Sequence, residues 1–313
     1  MDELAIIERL KVIFASTGSV SSNQLRIGIG DDAAFFAPRS SGVAVATDLL
    51  TEGVHFNREW SDLYSIGRKA TAANLADIFA MGLPATYLLV AVAFDPVDGE
   101  AIFELAKGIA DECALVGAHV IGGDLSRGSA LTVSMTAIGE GERVITRSGA
   151  RPGDHLYLRS LPGRSLLGLE QLRRGLNLHP ESIAFHKTPR VEYHSYLELG
   201  KDATSLCDIS DGILIDAASL ARASEVTIDL DSSAIEDHPQ YSLMAQIASA
   251  LGVDPLQSVL TSGEEHGPLF TAAPGYRRAH SIKAHSIVVV RERGESLLTL
   301  DGQPIAERGF THF

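Results

Sequence analysis

Apolar strand-like segments alternate with helix-like segments along almost the whole chain, and this alternation constrains the fold more than any other feature. The first half contains apolar runs at 42–50 and 87–94, each with the length of a single strand. Segments with helical spacing lie between and after them, at about 61–81 and 98–116. Strands that alternate with helices in this way predict a mixed α/β fold.

A stretch rich in glycine and proline near the middle of the chain predicts a domain boundary. The residues RSGARPGD at 147–154 are typical of a turn or linker. The second half then repeats the mixture, with a helix predicted at 183–199 and a strand at 226–230. Because 313 residues suffice for two domains of ordinary size, we expect one domain over residues 1–148 and another over 149–313.

The charge balance and the cysteine content restrict partners and location. Acidic residues outnumber basic ones 40 to 26, for a net charge of −14, whereas nucleic-acid binding needs clustered Lys and Arg. No apolar run approaches the roughly 20 residues that span a bilayer, and the acidic first residues do not resemble a signal peptide. Two distant cysteines, Cys113 and Cys207, are typical of reduced thiols. We therefore expect a cytoplasmic protein without nucleic-acid or membrane partners.

Paired aspartates follow closely spaced glycines near residue 30. The letters GIGDDA at 28–33 fit G-x-G-x-x-A, the pattern of a dinucleotide-binding loop. Such a loop has to open a helix, and Pro38 follows too soon for one. Because Mg²⁺ takes one or two carboxylates together with phosphate oxygens, a cation site at Asp31 and Asp32 is the better interpretation, with an acidic surface turn as the alternative.

Four further motifs place aspartates next to strands or on one face of a helix. Asp48 closes an apolar strand, where α/β proteins usually bind ligands, and Asn74 and Asp77 share a helical face. Two glycines before Asp124 would let a ligand approach the backbone. The motif DISDG at 208–212 precedes a helix, and capping explains only one of its polar side chains. Each motif alone has a simpler alternative, but together they predict carboxylates that hold cations beside phosphate groups.

Sequence patterns of several other enzyme classes do not occur in the chain. It has no G-x-x-x-x-G-K-[ST], no H-E-x-x-H, no C-x-x-C and no G-x-S-x-G. Cys207 lies next to Asp208, and a neighbouring carboxylate raises the pKa of a thiol. We therefore expect Cys207 to be a buried packing residue and not a nucleophile.

The motifs as a series resemble those of the thiamine-monophosphate kinase family, within the superfamily of aminoimidazole ribonucleotide synthetase and selenophosphate synthetase. They occur in the family's order from about residue 28 to residue 313: GIGDDA, TDLLTEGVHF, NLADIFAMG, VIGGD, TRSGARPGD, DISDG and GFTHF. The resemblance implies phosphoryl transfer from ATP, as co-substrate, to thiamine monophosphate with several Mg²⁺ ions. It also implies a two-domain fold of the aminoimidazole ribonucleotide synthetase type, whose N-terminal domain forms a homodimer through a β-barrel.

The resemblance also implies roles for individual residues. The Mg²⁺ positions correspond to Asp31, Asp32, Thr47, Asp48, Asp77, Asp124, Asp208 and Asp211, with Asp32 favoured over Asp31. The nucleotide positions correspond to Gly123, Asp124, Arg147 and Ser210. The thiamine phosphate positions correspond to His55, Glu264 and Phe310. Asp124, Asp211 and Arg147 are the expected catalytic residues.

The chain departs from the family at residues 262–269, where SGEEHGPL replaces the usual G-G-E-D-Y-E-L-L. Glu264 is kept, whereas Glu265, His266 and Pro268 differ, and elsewhere Ala76 and Val116 replace a serine and a tyrosine. We expect these changes to affect which acceptor is bound more than the phosphoryl transfer itself. Two alternatives therefore stay open: a superfamily relative that uses ATP to activate an amide or a phosphate of another small acceptor, and a non-catalytic nucleotide-binding paralogue.

Overall fold

The structure, a computed structural model, describes residues 3–15, 24–29, 33–95, 99–276 and 284–310. The chain divides into a first unit, residues 1–79 with 83–143, and a second unit, residues 80–82 with 144–313. Both units combine helices with strands, which confirms the mixed α/β fold. No helix in the described ranges is long and apolar enough to cross a membrane.

The described part of the first unit contains three helices and six strands. In chain order they are α1 (Glu3–Ala15), β1 (Leu25–Ile27), β2 (Phe35–Phe36), β3 (Val43–Thr51), α2 (Leu63–Ala80), β4 (Ala85–Phe94), α3 (Ile102–Ala114), β5 (His119–Arg127) and β6 (Thr132–Glu140). A four-stranded sheet has the order β3-β6-β4-β5, and β1 pairs separately with β2. β4 and β5 run parallel, and the other neighbours in the larger sheet run antiparallel. Within the described residues this sheet is open, with β3 and β5 at its two edges.

Two glycines let α2 pack closely against α3. A Cβ atom at Gly67 would lie 2.2 Å from the carbonyl oxygen of Leu105, and one at Gly108 would lie 2.0 Å from that of Tyr64. Any larger residue at either position would push the helices apart. This contact fixes the orientation of α2, on which the candidate residues Asn74 and Asp77 lie.

The described part of the second unit contains seven helices and seven strands. In chain order they are β7 (His155–Leu158), α4 (Arg164–Arg173), α5 (Pro180–Lys187), α6 (Tyr193–Leu199), β8 (Ser205–Asp208), α7 (Ile213–Ser224), β9 (Val226–Leu230), α8 (Ser232–Glu236), α9 (Tyr241–Leu251), α10 (Pro255–Thr261), β10 (Pro268–Ala272), β11 (His285–Glu292), β12 (Leu298–Leu300) and β13 (Gln303–Pro304). The strands form one sheet of order β13-β12-β9-β11-β7-β10-β8. Pro268 pairs with Asp208 in the antiparallel pair β10–β8. The end of β8 is therefore adjacent to the loop that precedes β10.

Two predicted elements have different bounds in the structure. The helix predicted over 183–199 is two helices, α5 and α6, because Pro189 lacks a backbone N–H and excludes Thr188 from the helical conformation. The strand expected next to Asp124 does not end before that residue but continues as β5 to Arg127. Gly122 and Gly123 therefore lie inside the strand. Position 123 requires glycine there, since a Cβ atom would be only 1.8 Å from the carbonyl oxygen of Val90 in β4.

Candidate active site

Thr47 and Asp48 lie on β3 and point to opposite faces of the first unit's sheet. Thr47 is exposed, and its Oγ1 donates to the Met135 carbonyl oxygen at 2.8 Å. Asp48 is half-buried, and its backbone N–H donates to Oδ1 of the buried Asn74 at 3.2 Å. Asn74 therefore holds this part of β3 against α2, and Asp77 follows one turn later on the same helix.

Asp124 lies within β5, at the opposite edge of the same sheet. Its side chain is exposed, and Ser126 Oγ donates to Asp124 Oδ2 at 3.1 Å. The sequence analysis placed Asp124 next to a strand, after two glycines, whereas in the structure the two glycines and Asp124 all lie within β5. Two strands separate β3 from β5, which puts Asp48 and Asp124 about 14 Å apart at the usual spacing of strands. One copy of the sheet therefore does not bring these two carboxylates together.

A groove in the first unit adjoins Asp124. It has a volume of about 980 Å³, and its wall includes Gly122, Gly123 and Asp124 together with apolar side chains such as Leu89 and Phe36. Backbone without side chains beside an apolar surface suits a ligand that presents both a flat ring and a charged group. The two glycines and Asp124 are the VIGGD residues that the sequence analysis selected.

His55 follows β3 in a turn that a buried lysine supports. The Thr51 N–H donates to His55 Nδ1 at 3.0 Å, and Lys69 Nζ on α2 donates to the His55 carbonyl oxygen at 2.9 Å. Lys69 is 3% exposed. The sequence analysis did not select it, since nothing in a helix segment that also contains Arg68 indicates the burial of a lysine, which is unusual.

In the second unit, one carboxylate organises the DISDG turn. Asp216 Oδ2 accepts hydrogen bonds from the backbone N–H groups of Ser210, Asp211 and Gly212 at 3.0, 3.1 and 3.1 Å. Burial, followed by the nearby Asp208 and Asp211 carboxylates, raises the pKa of Asp216 to about 8, although the N–H groups favour its ionised form. Asp216 was not selected from the sequence, where it looks like an ordinary residue in the first turn of α7.

The loop at 262–267, between α10 and β10, is attached to that turn by its backbone. Glu264 N–H donates to the Ser210 carbonyl oxygen at 2.7 Å, and His266 N–H donates to that of Ile209 at 2.9 Å. A Cβ atom at Gly263 would lie 2.6 Å from the Ser210 carbonyl oxygen, so glycine permits this close approach. The stretch that departs from the family therefore packs directly against the predicted metal and nucleotide residues.

Two of the substituted residues are buried and hold the loop in place. Glu265 Oε1 accepts from the N–H groups of Gly163 and Ser165, before and within the first turn of α4, at 2.8 and 2.9 Å. Burial raises the pKa of Glu265, and these bonds oppose the shift. His266 Nδ1 lies 3.0 Å from Asp208 Oδ2, and both side chains are buried. The sequence analysis noted both positions only as departures from the family.

Glu264 and Phe310 both lie near the same turn. Glu264 has a positive φ of 57°, and its Oε2 lies 3.5 Å from Nδ1 of the buried His186. The Phe310 N–H donates to the Asp211 carbonyl oxygen at 3.1 Å, and the residue is 38% exposed. The structure thus brings Asp208, Ser210, Asp211, Glu264 and Phe310 into one part of the second unit.

Arg147 and Cys207 are neighbours in the second unit. Cys207 is buried, and burial raises the pKa of its thiol well above the ordinary value, while the positive charge of Arg147 opposes the shift. A thiol in this state does not form a nucleophilic thiolate at neutral pH. The expectation that Cys207 is a buried packing residue is confirmed.

The donor set suits a hard divalent cation. Carboxylate and hydroxyl oxygens are the ligands that Mg²⁺ prefers, and the carboxylates of Asp208, Asp211 and Asp216 interact with one another at the 208–211 turn. Asp31 and Asp32 lie outside the described residues. Among the residues that the structure does describe, no three His, Cys, Asp or Glu side chains are grouped closely enough to hold a metal ion.

Comparisons with known proteins agree with the geometry. The family described as AIR synthase related protein, N-terminal domain, matches residues 30–140. The thiamine-monophosphate kinase of Mycobacterium tuberculosis is 35% identical over 85% of this chain and 79% of its own length. That of Corynebacterium glutamicum is 34% identical over 96% of this chain and 90% of its own length. Among solved structures, AaThiL complexed with AMPPCP and TMP is 28% identical with a TM-score of 0.82, and the match covers 99% of this chain and 97% of that chain.

Proposed function

The chain belongs to the thiamine-monophosphate kinase family, and on this premise we propose that it transfers the γ-phosphoryl group of ATP to the phosphate of thiamine monophosphate. The products are thiamine diphosphate and ADP. The observation that carries the proposal is the grouping of Asp208, Ser210, Asp211 and Glu264 around one turn, because it joins predicted metal, nucleotide and acceptor residues. We further propose a cytoplasmic location, because Cys113 and Cys207 are both free thiols, which suits a reducing compartment.

The chemical difficulty of this reaction is the repulsion between two polyanions. The attacking phosphate oxygen of the acceptor is already ionised at neutral pH, so no general base has to remove a proton. What the protein must supply is alignment of the two substrates and compensation of their charge. Arg147 is suited to the second task, because its guanidinium fork can donate to two phosphate oxygens at once.

We assign nucleotide binding to Gly123, Asp124, Arg147 and Ser210, and acceptor binding to His55, Glu264 and Phe310. Support for the first set comes from the backbone at Gly123, where nothing larger than glycine fits. Support for the second set comes from Phe310, whose partly exposed ring offers an apolar surface to an aromatic ligand. We also propose that the chain has two α/β domains. Residues 1–148 form the first, which binds nucleotide and Mg²⁺ and dimerises, and residues 149–313 form the second.

Mg²⁺ is expected at the carboxylates of both units. The residues that would hold it are Thr47, Asp48, Asp77, Asp124, Asp208 and Asp211, together with Asp31 and Asp32, which lie outside the described residues. When bound, Mg²⁺ would neutralise part of the phosphate charge during transfer. Without a cation, these carboxylates would repel the phosphate groups of both substrates. This repulsion is the physical reason for expecting Mg²⁺ at the site.

A homodimer through the first unit would complete the site. The outer face of β3 is apolar and exposed, with Val43, Val45 and Leu49 at 50%, 63% and 53%. Pairing of the β3 edge with the β5 edge of a second copy would close the two sheets into a barrel. That arrangement would place Asp48 of one copy near the Asp124 strand of the other, which removes the separation of about 14 Å within one sheet.

The reaction is tested with purified protein, ATP, thiamine monophosphate and Mg²⁺, with thiamine diphosphate measured by its conversion to a fluorescent thiochrome. We expect product that depends on protein, ATP and Mg²⁺. Absence of product at high protein concentration would rule out the proposed acceptor. ADP formation with another small acceptor would then favour the superfamily relative, and ATP binding without turnover would favour the non-catalytic paralogue.

The composite site is tested by mixing two inactive variants, Asp48→Asn and Asp124→Asn. Each variant alone should lose activity by about 100-fold or more, since each removes a charge from the phosphate site. If the site combines β3 of one copy with β5 of the other, a mixed dimer contains one intact site, and about a quarter of the activity should return after subunit exchange. No recovery in a mixture shown by mass spectrometry to contain mixed dimers would place both residues in the same copy's site.

A further inference from the structure

We propose that His266 is a positioning residue that fixes the carboxylate of Asp208 so that one of its oxygens is presented to a divalent cation. The inference rests on the proposed function, because Asp208 is one of the residues assigned to Mg²⁺. It goes beyond that assignment, since His266 occupies a position where the family usually has tyrosine and where nothing in the resemblance assigns a role.

The contact between the two side chains is short and shielded from water. His266 Nδ1 lies 3.0 Å from Asp208 Oδ2, and the exposed fractions of the two side chains are 7% and 2%. An ionised carboxylate can only accept, so Nδ1 must carry the proton. Oδ2 then accepts the Nδ1–H bond, and Oδ1 is the oxygen that the proposal assigns to the cation.

The imidazole itself is held by its backbone. The His266 N–H donates to the Ile209 carbonyl oxygen at 2.9 Å, and the Tyr196 hydroxyl donates to the His266 carbonyl oxygen at 3.0 Å. His266 also has a positive φ of 48°, a conformation that is uncommon for non-glycine residues, and these two backbone hydrogen bonds help to hold it. Ile209 follows Asp208 directly, so backbone and side chain of His266 both attach to the end of β8.

Partners of metal-binding side chains commonly affect the metal strongly. Loss of a hydrogen bond that orients a metal ligand typically costs 10–100-fold in metal affinity or activity. A histidine that only filled space would affect the stability of the fold and leave the affinity for the cation unchanged. The affinity for a cation therefore distinguishes the two roles.

The experiment compares His266→Gly with His266→Asn. Both residues accept a positive φ, and Asn keeps an N–H donor close to the position of Nδ1, whereas Gly has none. Mn²⁺ alone is titrated into each protein by calorimetry, and Asp208→Asn identifies the part of the binding that depends on Asp208. We expect His266→Gly to weaken that part by about 10–100-fold and His266→Asn to keep it within about threefold.

The control is His238→Ala, which removes another buried histidine of the same unit whose ring contacts His285 and no carboxylate in the described contacts. It should leave Mn²⁺ binding unchanged. Should His266→Gly fail to fold, His266→Ala carries the same test, because Ala also lacks a side-chain donor and adds no carboxylate that could itself bind Mn²⁺.

The proposal is overturned if His266→Gly binds Mn²⁺ as the parent protein does, if Asn is as weak as Gly or Ala, or if Asp208→Asn changes nothing. Failure of the thiamine monophosphate assay is a separate result, because the Mn²⁺ titration does not use that substrate. In the kinase assay, the half-saturating Mg²⁺ concentration should rise in His266→Gly while the rate at saturating Mg²⁺ stays close to that of the parent.

Discussion

The two units position their candidate residues in different ways. In the first unit, Thr47, Asp48, Asp77 and Asp124 lie on regular strands and a helix, and each is at least partly exposed. In the second unit, a turn at 208–212 and a loop at 262–267 are attached to each other through buried polar groups. A side chain on a regular element takes its direction from the period of that element. A side chain in the turn or the loop depends on a few individual hydrogen bonds, so single substitutions there should have larger effects on structure.

The largest effect is expected for Asp216→Ala. This change leaves the N–H groups of Ser210, Asp211 and Gly212 without their common acceptor, at roughly 1 kcal/mol or more for each group. We expect the free energy of unfolding to fall by about 3–5 kcal/mol, measured by urea denaturation. Kinase activity should fall with it even in the folded fraction, because the turn carries Asp208 and Asp211.

Asp216→Asn is the matched control for that prediction. Its amide oxygen can accept from the same N–H groups, and it lacks the charge that burial and the neighbouring carboxylates disfavour, so the free energy of unfolding should fall by less than about 1 kcal/mol. Equal destabilisation by Ala and Asn would show that the hydrogen bonds do not hold the turn. The second unit would then resemble the first, in which the secondary structure determines where the side chains lie.

A smaller effect is expected for Glu265→Ala, which removes the acceptor at the start of α4. Gly163, Ser165 and Ser262 lose their common partner, and we expect a loss of about 2–3 kcal/mol in the free energy of unfolding. Glu265→Gln keeps an acceptor oxygen and should cost about 1 kcal/mol. An unchanged stability in Glu265→Ala would mean that the loop is held by its backbone contacts alone.

The same residue predicts a dependence of stability on pH. Burial raises the pKa of Glu265 above the ordinary value of 4.5, so the folded protein binds this proton more readily than the unfolded chain. The free energy of unfolding should therefore fall as the pH rises from 4.5 through the raised value, and this component should be absent in Glu265→Gln. Identical pH profiles for parent and variant would contradict it.

Most of the first unit's elements could be predicted from the sequence because their placement follows from local patterns. β4 was predicted at 87–94 and forms from Ala85 to Phe94, and α2 was predicted at 61–81 and forms from Leu63 to Ala80. The second unit's α10 was missed, although Asp254 and Pro255 form an ordinary helix start, in which the Asp254 side chain accepts from the Gln257 N–H. That error was avoidable, as was the helix drawn across Pro189.

The positioning residues of the second unit could not be predicted in the same way. His266 and Asp208 are 58 residues apart, and Glu265 and Gly163 are 102 apart, so their contacts depend on the pairing of β10 with β8 and on the position of α4. No local sequence pattern predicts which buried carboxylate a histidine will contact. The resemblance to the family showed only that residues 262–269 differ from the usual sequence. It could not predict the contacts of Glu265 and His266, because the family has other residues at these positions.

The smallest effect is expected for Ser126→Ala, and it tests the comparison between the units most directly. Ser126 stands to Asp124 as His266 stands to Asp208, since its Oγ donates to Asp124 Oδ2 at 3.1 Å, but here both residues are exposed. Water can replace the lost hydroxyl at an exposed carboxylate, so the free energy of unfolding should change by less than about 0.5 kcal/mol. The half-saturating Mg²⁺ concentration should change by less than about threefold, against about 10–100-fold for His266→Gly. Suppose that Ser126→Ala raised the half-saturating Mg²⁺ concentration as much as His266→Gly does. The burial of His266 would then not explain its effect on Mg²⁺ binding. Orientation by any hydrogen-bond donor would then be sufficient in both units.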